Sequence, residues 1–324
     1  MTGAAIPVLI LCGATACGKT ALAGRLFAAG EESPFAGMAE VISADSMQAY
    51  CGMDIGTAKP EAEFLKKLPH HLIDICSPKE PFGAGEFVRC ADLCCRDIAR
   101  RGKIPVIVGG TAFYIKNFIY GLPPTPQADM RVRAELQRRL QAEGAPVLYE
   151  ELLDRDPESA ARIHPNDAYR IVRALEVPYT AGKPLSSYRQ PQQPRAQYRF
   201  CVLFLVRDRA ELYKRIAERI EAMFESGLAE EVESLVRGGC TEHDPGMQAI
   251  GYKEFFTVRR SDFSENALWL SAVKAAVISD SCHYAKRQET FFKRIDGALR
   301  CGADDYDGAA RQTALFMERC GTAL

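Results

Sequence analysis

The sequence predicts an α/β fold: a parallel β-sheet flanked by helices, carrying a helical insertion and a helical C-terminal region. Three observations predict it. Through residue 121, short β-branched apolar runs alternate with helical patterns, the cadence of buried parallel strands and crossover helices. The first run leads directly into Gly13-Ala14-Thr15-Ala16-Cys17-Gly18-Lys19-Thr20, which matches GxxxxGK[ST] and opens a helical pattern, so the sheet is P-loop NTPase-like. A continuous apolar run at 200–206, beyond a Pro/Gln-rich stretch, returns the chain to the sheet. The core is therefore expected to be discontinuous, 1–121 with 190–324, around an insertion at 122–189.

With 324 residues the chain has room for about two domains, at roughly 150 residues each. Its 47% hydrophobic and 26% charged residues exclude disordered and fibrous classes. Forty-one basic against 42 acidic side chains leave a net charge of −1, so a polyanion would need a local basic surface. The apolar run at 6–12 is too short to span a bilayer and lacks the basic flank of a signal peptide, which places the protein in the cytoplasm with no membrane partner.

Runs 7–12, 41–44 and 104–108 read as buried strands. Cys90, Cys94 and Cys95 form the one cluster among twelve cysteines; on a helix Cys90 and Cys94 share a face, which suits a buried apolar pair better than a zinc site. The adjacent His70 and His71 cannot stack as paired helical ligands. Pro123, Pro124 and Pro126 end the first pattern, and 128–176 is helical with Arg131, Arg133, Arg138 and Arg139. From 177 to 207 there is no acidic residue, while Lys183, Arg189, Arg195, Arg199 and Arg207 interleave with Tyr179, Tyr188 and Tyr198; this composition suits either a groove that tracks a nucleic-acid backbone or a solvated connector. Leu212, Ile216, Met223, Leu228, Val232 and Leu235 then fall near helical spacing, and a long helix is expected at 266–294.

In the 13–20 loop, Gly13 and Gly18 let backbone amides approach phosphate oxygens, Lys19 adds a point charge, and the Thr20 hydroxyl suits Mg²⁺. The loop alone says that a di- or triphosphate binds. A GTPase would need an NKxD element, which is absent, and the 104–108 run leads into Gly109-Gly110-Thr111 where a motor ATPase usually places an acid. A kinase stays open, because Asp45 ends the second strand and could deprotonate an acceptor hydroxyl.

A longer series of motifs runs over nearly the whole chain. It comprises the 13–20 loop, Asp45-Ser46-Met47-Gln48, Gly52-Met53-Asp54-Ile55-Gly56-Thr57-Ala58-Lys59-Pro60 and His70-His71-Leu72-Ile73-Asp74. Val108-Gly109-Gly110-Thr111 with Tyr114, His164-Pro165-Asn166-Asp167, Arg170, Arg173-Ala174-Leu175-Glu176-Val177 and Gly182-Lys183-Pro184-Leu185-Ser186 continue it, followed by Gly251-Tyr252 and Tyr284-Ala285-Lys286-Arg287-Gln288. This series resembles that of bacterial tRNA dimethylallyltransferases, the tRNA isopentenyltransferase family, and departs from the family pattern at Ala14, Cys17, Met47, Cys51 and Ala112-Phe113.

The resemblance implies transfer of a dimethylallyl group from its diphosphate to the exocyclic amine of the adenosine immediately 3′ of the anticodon. It implies Asp45 as general base, Thr111 against the flipped base and Arg219 on the pyrophosphate, with residues 13–20 and Mg²⁺ holding the leaving group. Each has a plainer use: Asp45 capping its turn, Thr111 capping a helix, Arg219 pairing with Glu221 or Glu225. His70 and His164 read as packing or capping residues. The tRNA anticodon stem-loop is expected on the insertion and on Asp45, Ser46, Met47, Gln48 and Thr111. Further contacts are expected from Arg133, Tyr169, Arg170, Ile171, Val172, Arg173, Gln248, Gly251, Tyr252, Lys253, Lys286, Arg287, Gln288 and Lys293, with the protein acting as a monomer.

Overall fold

The computed structural model describes residues 5–126 and 129–321. Residues 1–4 and 322–324 of the expected core, and 127–128 of the expected insertion, lie outside them. Cα packing divides the chain into two units, one running to Ile119 and resuming at Arg195, the other Tyr120–Pro194.

The first unit is built on a six-stranded, wholly parallel sheet. In chain order its strands are β1 (Ile6–Gly13), β2 (Ala39–Ser43), β3 (His70–His71), β4 (Ile104–Gly109), β5 (Tyr198–Val206) and β6 (Leu299–Gly302), arranged β3-β2-β4-β1-β5-β6. β1 lies between β4 and β5, with Leu9 opposite both Val106 and Cys201. Burial on both faces explains why β1, β4 and β5 are nearly unbroken apolar runs. Helices α1 (Lys19–Phe27), α2 (Ala62–Lys67), α3 (Ala84–Arg100) and α4 (Ala112–Tyr120) accompany the first four strands. α3 buries Phe87, Val88, Ala91, Cys95 and Ile98, a one-sided stripe; full burial of each large apolar side chain stabilises by about 1.5–3 kcal/mol. Its cysteines correct the sequence reading: Cys95 is the buried one, while Cys90 and Cys94 are half-buried.

The second unit packs α5 (Met130–Glu143), α6 (Ala145–Arg155), α7 (Pro157–Ala160) and α8 (Ala168–Ala181) around Leu136, Leu148, Leu152, Ile171 and Leu175. Asp129, Asp156 and Asp167 cap α5, α7 and α8 by accepting from backbone amides of the first turn.

After β5 the first unit continues with α9 (Arg209–Glu225), α10 (Leu228–Arg237), α11 (Glu254–Thr257), the 27-residue α12 (Asn266–Phe292) and α13 (Tyr306–Arg319). Part of the 177–207 stretch is spent inside the fold, while Lys183, Arg189 and Arg199 stay exposed. Arg195 pairs with Asp92 at 2.9 Å and lies over the Phe118 and Tyr198 rings, Tyr198 is buried with its hydroxyl donating to Asp92, and Arg207 pairs with Asp304 at 2.6 Å. In the other unit Tyr179 donates to Glu151. Unlike charges distant in sequence meet here, which composition along one segment cannot reveal.

Candidate functional site

Parallel strands direct their carboxyl ends to one rim, and loops leaving that rim gather the chemistry. From the end of β1 the 13–20 loop runs to α1, with Gly18 left-handed at φ 111°. Arg215 donates to the Ala16 carbonyl and Arg207 to that of Cys17, while Lys19 Nζ donates to the carbonyls of Gly13 (3.1 Å) and Ala14 (2.7 Å). Cys17 is buried among Leu22, Leu26 and Leu205, so its thiol serves as a small apolar filler.

The β2 and β4 loops are stitched to each other. Thr111 N donates to the Ala44 carbonyl at 3.0 Å, Ser46 N donates to Thr111 Oγ1 at 3.0 Å, and Thr111 Oγ1 donates to Ser46 Oγ at 3.3 Å. A Cβ on Gly109 would lie 2.2 Å from the Ala44 carbonyl oxygen, so no side chain fits there. Asp45 Oδ1 accepts from Met47 N at 3.0 Å, an Asx turn that fixes the carboxylate. Both plainer uses are therefore real, and neither consumes the functional group: Asp45 still lines the cavities, and Thr111 caps α4 through its main-chain carbonyl.

Three cavities meet at Arg219. A cavity of about 450 Å³ is lined by Gly18, Lys19, Thr20 and Arg215; a smaller one of about 90 Å³ by Lys19, Thr20, Asp45 and Tyr284; and a mainly apolar one of about 250 Å³ by Asp45, Met47, Ile216, Met223, Val277 and Tyr284. Arg219 lines all three and forms no ion pair among the described residues, since Glu221 is held by Lys274 at 2.6 Å. Burial pushes its guanidinium below the ordinary arginine value, and the Asp45 carboxylate opposes this. A half-buried, unpaired cation beside a phosphate loop is suited to an anion.

Tyr284, on α12, is the site residue that sequence reasoning passed over, although it opens a quoted motif. Burial, and then the Asp45 charge, push its phenol up to about 12, so it is a neutral hydroxyl facing Asp45. One turn later Gln288 is buried, which corrects its expected place on a nucleic-acid surface. Its Oε1 accepts from Thr15 N at 2.8 Å and its Nε2 donates to the Gly110 carbonyl at 2.7 Å, bracing the two loops. A Cβ on Gly110 would approach that Nε2 to 2.3 Å.

Further expected contact residues also lie inside. Tyr252 is fully buried and donates to Glu231, and Ile171 and Val172 pack the core of the second unit. The Gln48 amide is spent on Ser43, Thr57 and Ala58. Met47, Gln248 and Gly251 line the apolar cavity, Lys253 pairs with Asp280, and Lys286 and Arg287 are exposed on α12. Lys293, also exposed, lines a separate basic recess with Arg207, Arg209 and Arg300. In the second unit, Arg133 and Arg173 share the buried Glu176 carboxylate beside Tyr169, which is 80% exposed, and Arg170 is exposed. His70 Nδ1 bonds the Leu68 carbonyl and His71 bonds Glu40.

Magnesium has a plausible place. Thr20 and Asp45 offer a hydroxyl and a carboxylate in one cavity, and the described residues contain no cluster of three His, Cys, Asp or Glu ligands. That donor set fits a Mg²⁺ held largely by phosphate oxygens and water.

Comparison with known proteins matches residues 48–295 to the IPP transferase family model. The chain is 43% identical over 299 residues to the tRNA dimethylallyltransferase of Geobacter sulfurreducens, covering 92% of both. It is 41% identical over 320 residues to that of Thiobacillus denitrificans, covering 97% of both. Among solved structures it is similar to the full-length tRNA isopentenylpyrophosphate transferase of Bacillus halodurans (TM-score 0.67, 33% identity), with coverage of 97% of this chain and 98% of that one. It is also similar to a eukaryotic dimethylallyltransferase captured acting on tRNA (TM-score 0.77, 26% identity), with coverage of 97% and 79%. The chain belongs to the IPP transferase family.

Proposed function

We propose that the chain transfers a dimethylallyl group from dimethylallyl diphosphate to the exocyclic amine of the adenosine immediately 3′ of the anticodon in tRNA. The observation that carries this reading is the meeting, at the unpaired Arg219, of a phosphate loop, the Asp45 carboxylate and an apolar cavity. An allylic diphosphate has this same division: an anionic head for the 13–20 loop and an apolar tail beyond it.

In the transfer, the bond from the allylic carbon to the diphosphate oxygen breaks with its electron pair leaving on oxygen. The amine nitrogen forms the new bond to carbon, and Asp45 takes the amine proton. Lys19, Arg219 and the loop amides hold the charge that builds on the diphosphate. Mg²⁺, held with help from Thr20, would supply further neutralisation of the leaving group. Thr111, with Ser46, borders the place for the flipped base, which must leave its stack before its amine can reach the allylic carbon. Arg133, Tyr169, Arg170 and Arg173 take the anticodon stem-loop through phosphate pairing and stacking. We read the chain as a monomer working in the cytoplasm, where its tRNA is.

The test is incubation with unmodified tRNA, Mg²⁺ and either dimethylallyl diphosphate or ATP, followed by mass spectrometry of the nucleosides. A dimethylallyl gain on one adenosine with the allylic donor is expected. No gain, together with ATP turnover on a small hydroxyl acceptor, would replace this reading with a kinase.

A further inference from the structure

We infer that Met223, with Val277 opposite, forms the end wall of the donor cavity and restricts the transferred group to five carbons. This rests on the reading above and adds which donor the site admits.

The cavity lies between α9 and α12, and the pairing of these helices gives it a direction. Lys274 of α12 reaches Glu221 of α9 at 2.6 Å and lies over the Phe224 ring at 5.8 Å, so the N-terminal half of α12 meets the C-terminal end of α9. Arg219 and Tyr284 line the same two cavities as Asp45, which places them together at the reacting end. The two helices therefore run antiparallel. Moving from Arg219 to Met223 on one, and from Tyr284 to Val277 on the other, leads away from the diphosphate.

Met223 lines only the apolar cavity, not the two that hold the phosphate loop's polar groups. It packs against both apolar clusters of this unit, and Val277 is buried in the larger one. The far end is thus backed by core at the buried Val277 and by the half-buried Met223 that packs against it.

The lengths agree. Four residues of helix separate Arg219 from Met223, about 6 Å of axial rise. With carbon–carbon bonds of about 1.5 Å, a dimethylallyl group extends about 4 Å from its reacting carbon, and a geranyl group about 9 Å. Measured against that step, the shorter group fits within it and the longer one exceeds it. Transfer from geranyl diphosphate would break and form the same bonds and send the same proton to Asp45, so only the fit of the tail distinguishes the donors.

The test compares dimethylallyl and geranyl diphosphate as donors to unmodified tRNA, reading kcat/KM for each from the mass of the product nucleoside. Met223→Ala should lower the preference for dimethylallyl by about 10–100-fold, the scale on which small changes of apolar fit discriminate. Val277→Ala should move it in the same direction from the opposite wall, and answers the question should Met223→Ala fold poorly. Met223→Phe should suppress dimethylallyl transfer while leaving the affinity for inorganic diphosphate intact. An unchanged preference in both alanine variants, with dimethylallyl transfer persisting, overturns the end wall alone. A wild-type protein that transfers dimethylallyl to no nucleoside overturns the underlying reading instead.

Discussion

Gln288→Glu converts the loop brace into a titratable group. In the wild type the side-chain amide accepts from Thr15 N and donates to the Gly110 carbonyl, so each end has the partner it needs. An ionised Glu still accepts from Thr15, but it has no proton for Gly110 and places a carboxylate against a carbonyl at a buried position. Losing the donated bond costs about 1 kcal/mol net, and stranding the buried acceptor adds about 1–3, for a total of about 2–4 kcal/mol. At 1.36 kcal/mol per unit, that raises the folded carboxyl about 1.5–3 units above the unfolded value of about 4.3. The folded value is the higher one, so the stability is present below the unfolded value and is lost as pH rises through the folded one. Urea denaturation of wild type and variant at pH 5 and pH 8 reads this directly. The variant should lie about 1 kcal/mol below wild type at pH 5, where the unfolded carboxyl is already mostly ionised, and about 2–4 kcal/mol below it at pH 8, whereas Gln288→Ala should show a deficit that does not change with pH. A deficit for Gln288→Glu that is equal at both pH values would refute the brace.

Asp45→Asn should lower single-turnover transfer by about 10²–10⁴-fold with tRNA affinity unchanged; unaltered transfer would remove Asp45 from the role of base. Arg219→Gln should cost about 10²–10³-fold in kcat, with partial recovery in Arg219→Lys. A variant that keeps its rate would return Arg219 to a packing role. Glu254→Gln concerns stability. Burial holds the Glu254 carboxyl above the usual carboxylate range, with one oxygen on Gly251 N and the other 3.8 Å from Lys253, which pairs more closely with Asp280 at 2.6 Å. Its folded value exceeds its unfolded one, so wild type should lose stability relative to Glu254→Gln as pH rises from 5 to 8; parallel pH profiles would contradict this.

The fold was legible where burial leaves a pattern in the sequence. β1, β4 and β5 are covered on both faces and read as continuous apolar runs, and α12 is long enough for its period to register. β3 has two residues, and β6 exposes three of its four, so neither edge strand carries a pattern. The 13–20 loop was legible because its spacing is local. Gln288 was not, because its partner Thr15 lies 273 residues away and its surface-like chemistry is satisfied inside the fold. The inward placement of Arg195 and Tyr198 was hidden for the same reason: Asp92, which holds both, lies about a hundred residues upstream.

Along α12 the residues Val277, Ser281, Tyr284 and Gln288 recur at steps of four, three and four, so one face of a single rod serves two of the three cavities. Over about 16 Å, at 1.5 Å per residue, this face spans the apolar cavity at Val277, the neighbourhood of Asp45 and the brace on the phosphate loop. The helix acts as an index that sets their mutual spacing. Inserting one residue between Val277 and Tyr284 would turn one part of the face about 100° from the other. Side-chain changes along this face can be tolerated one at a time, whereas a change in its length would dismantle the register of the whole site.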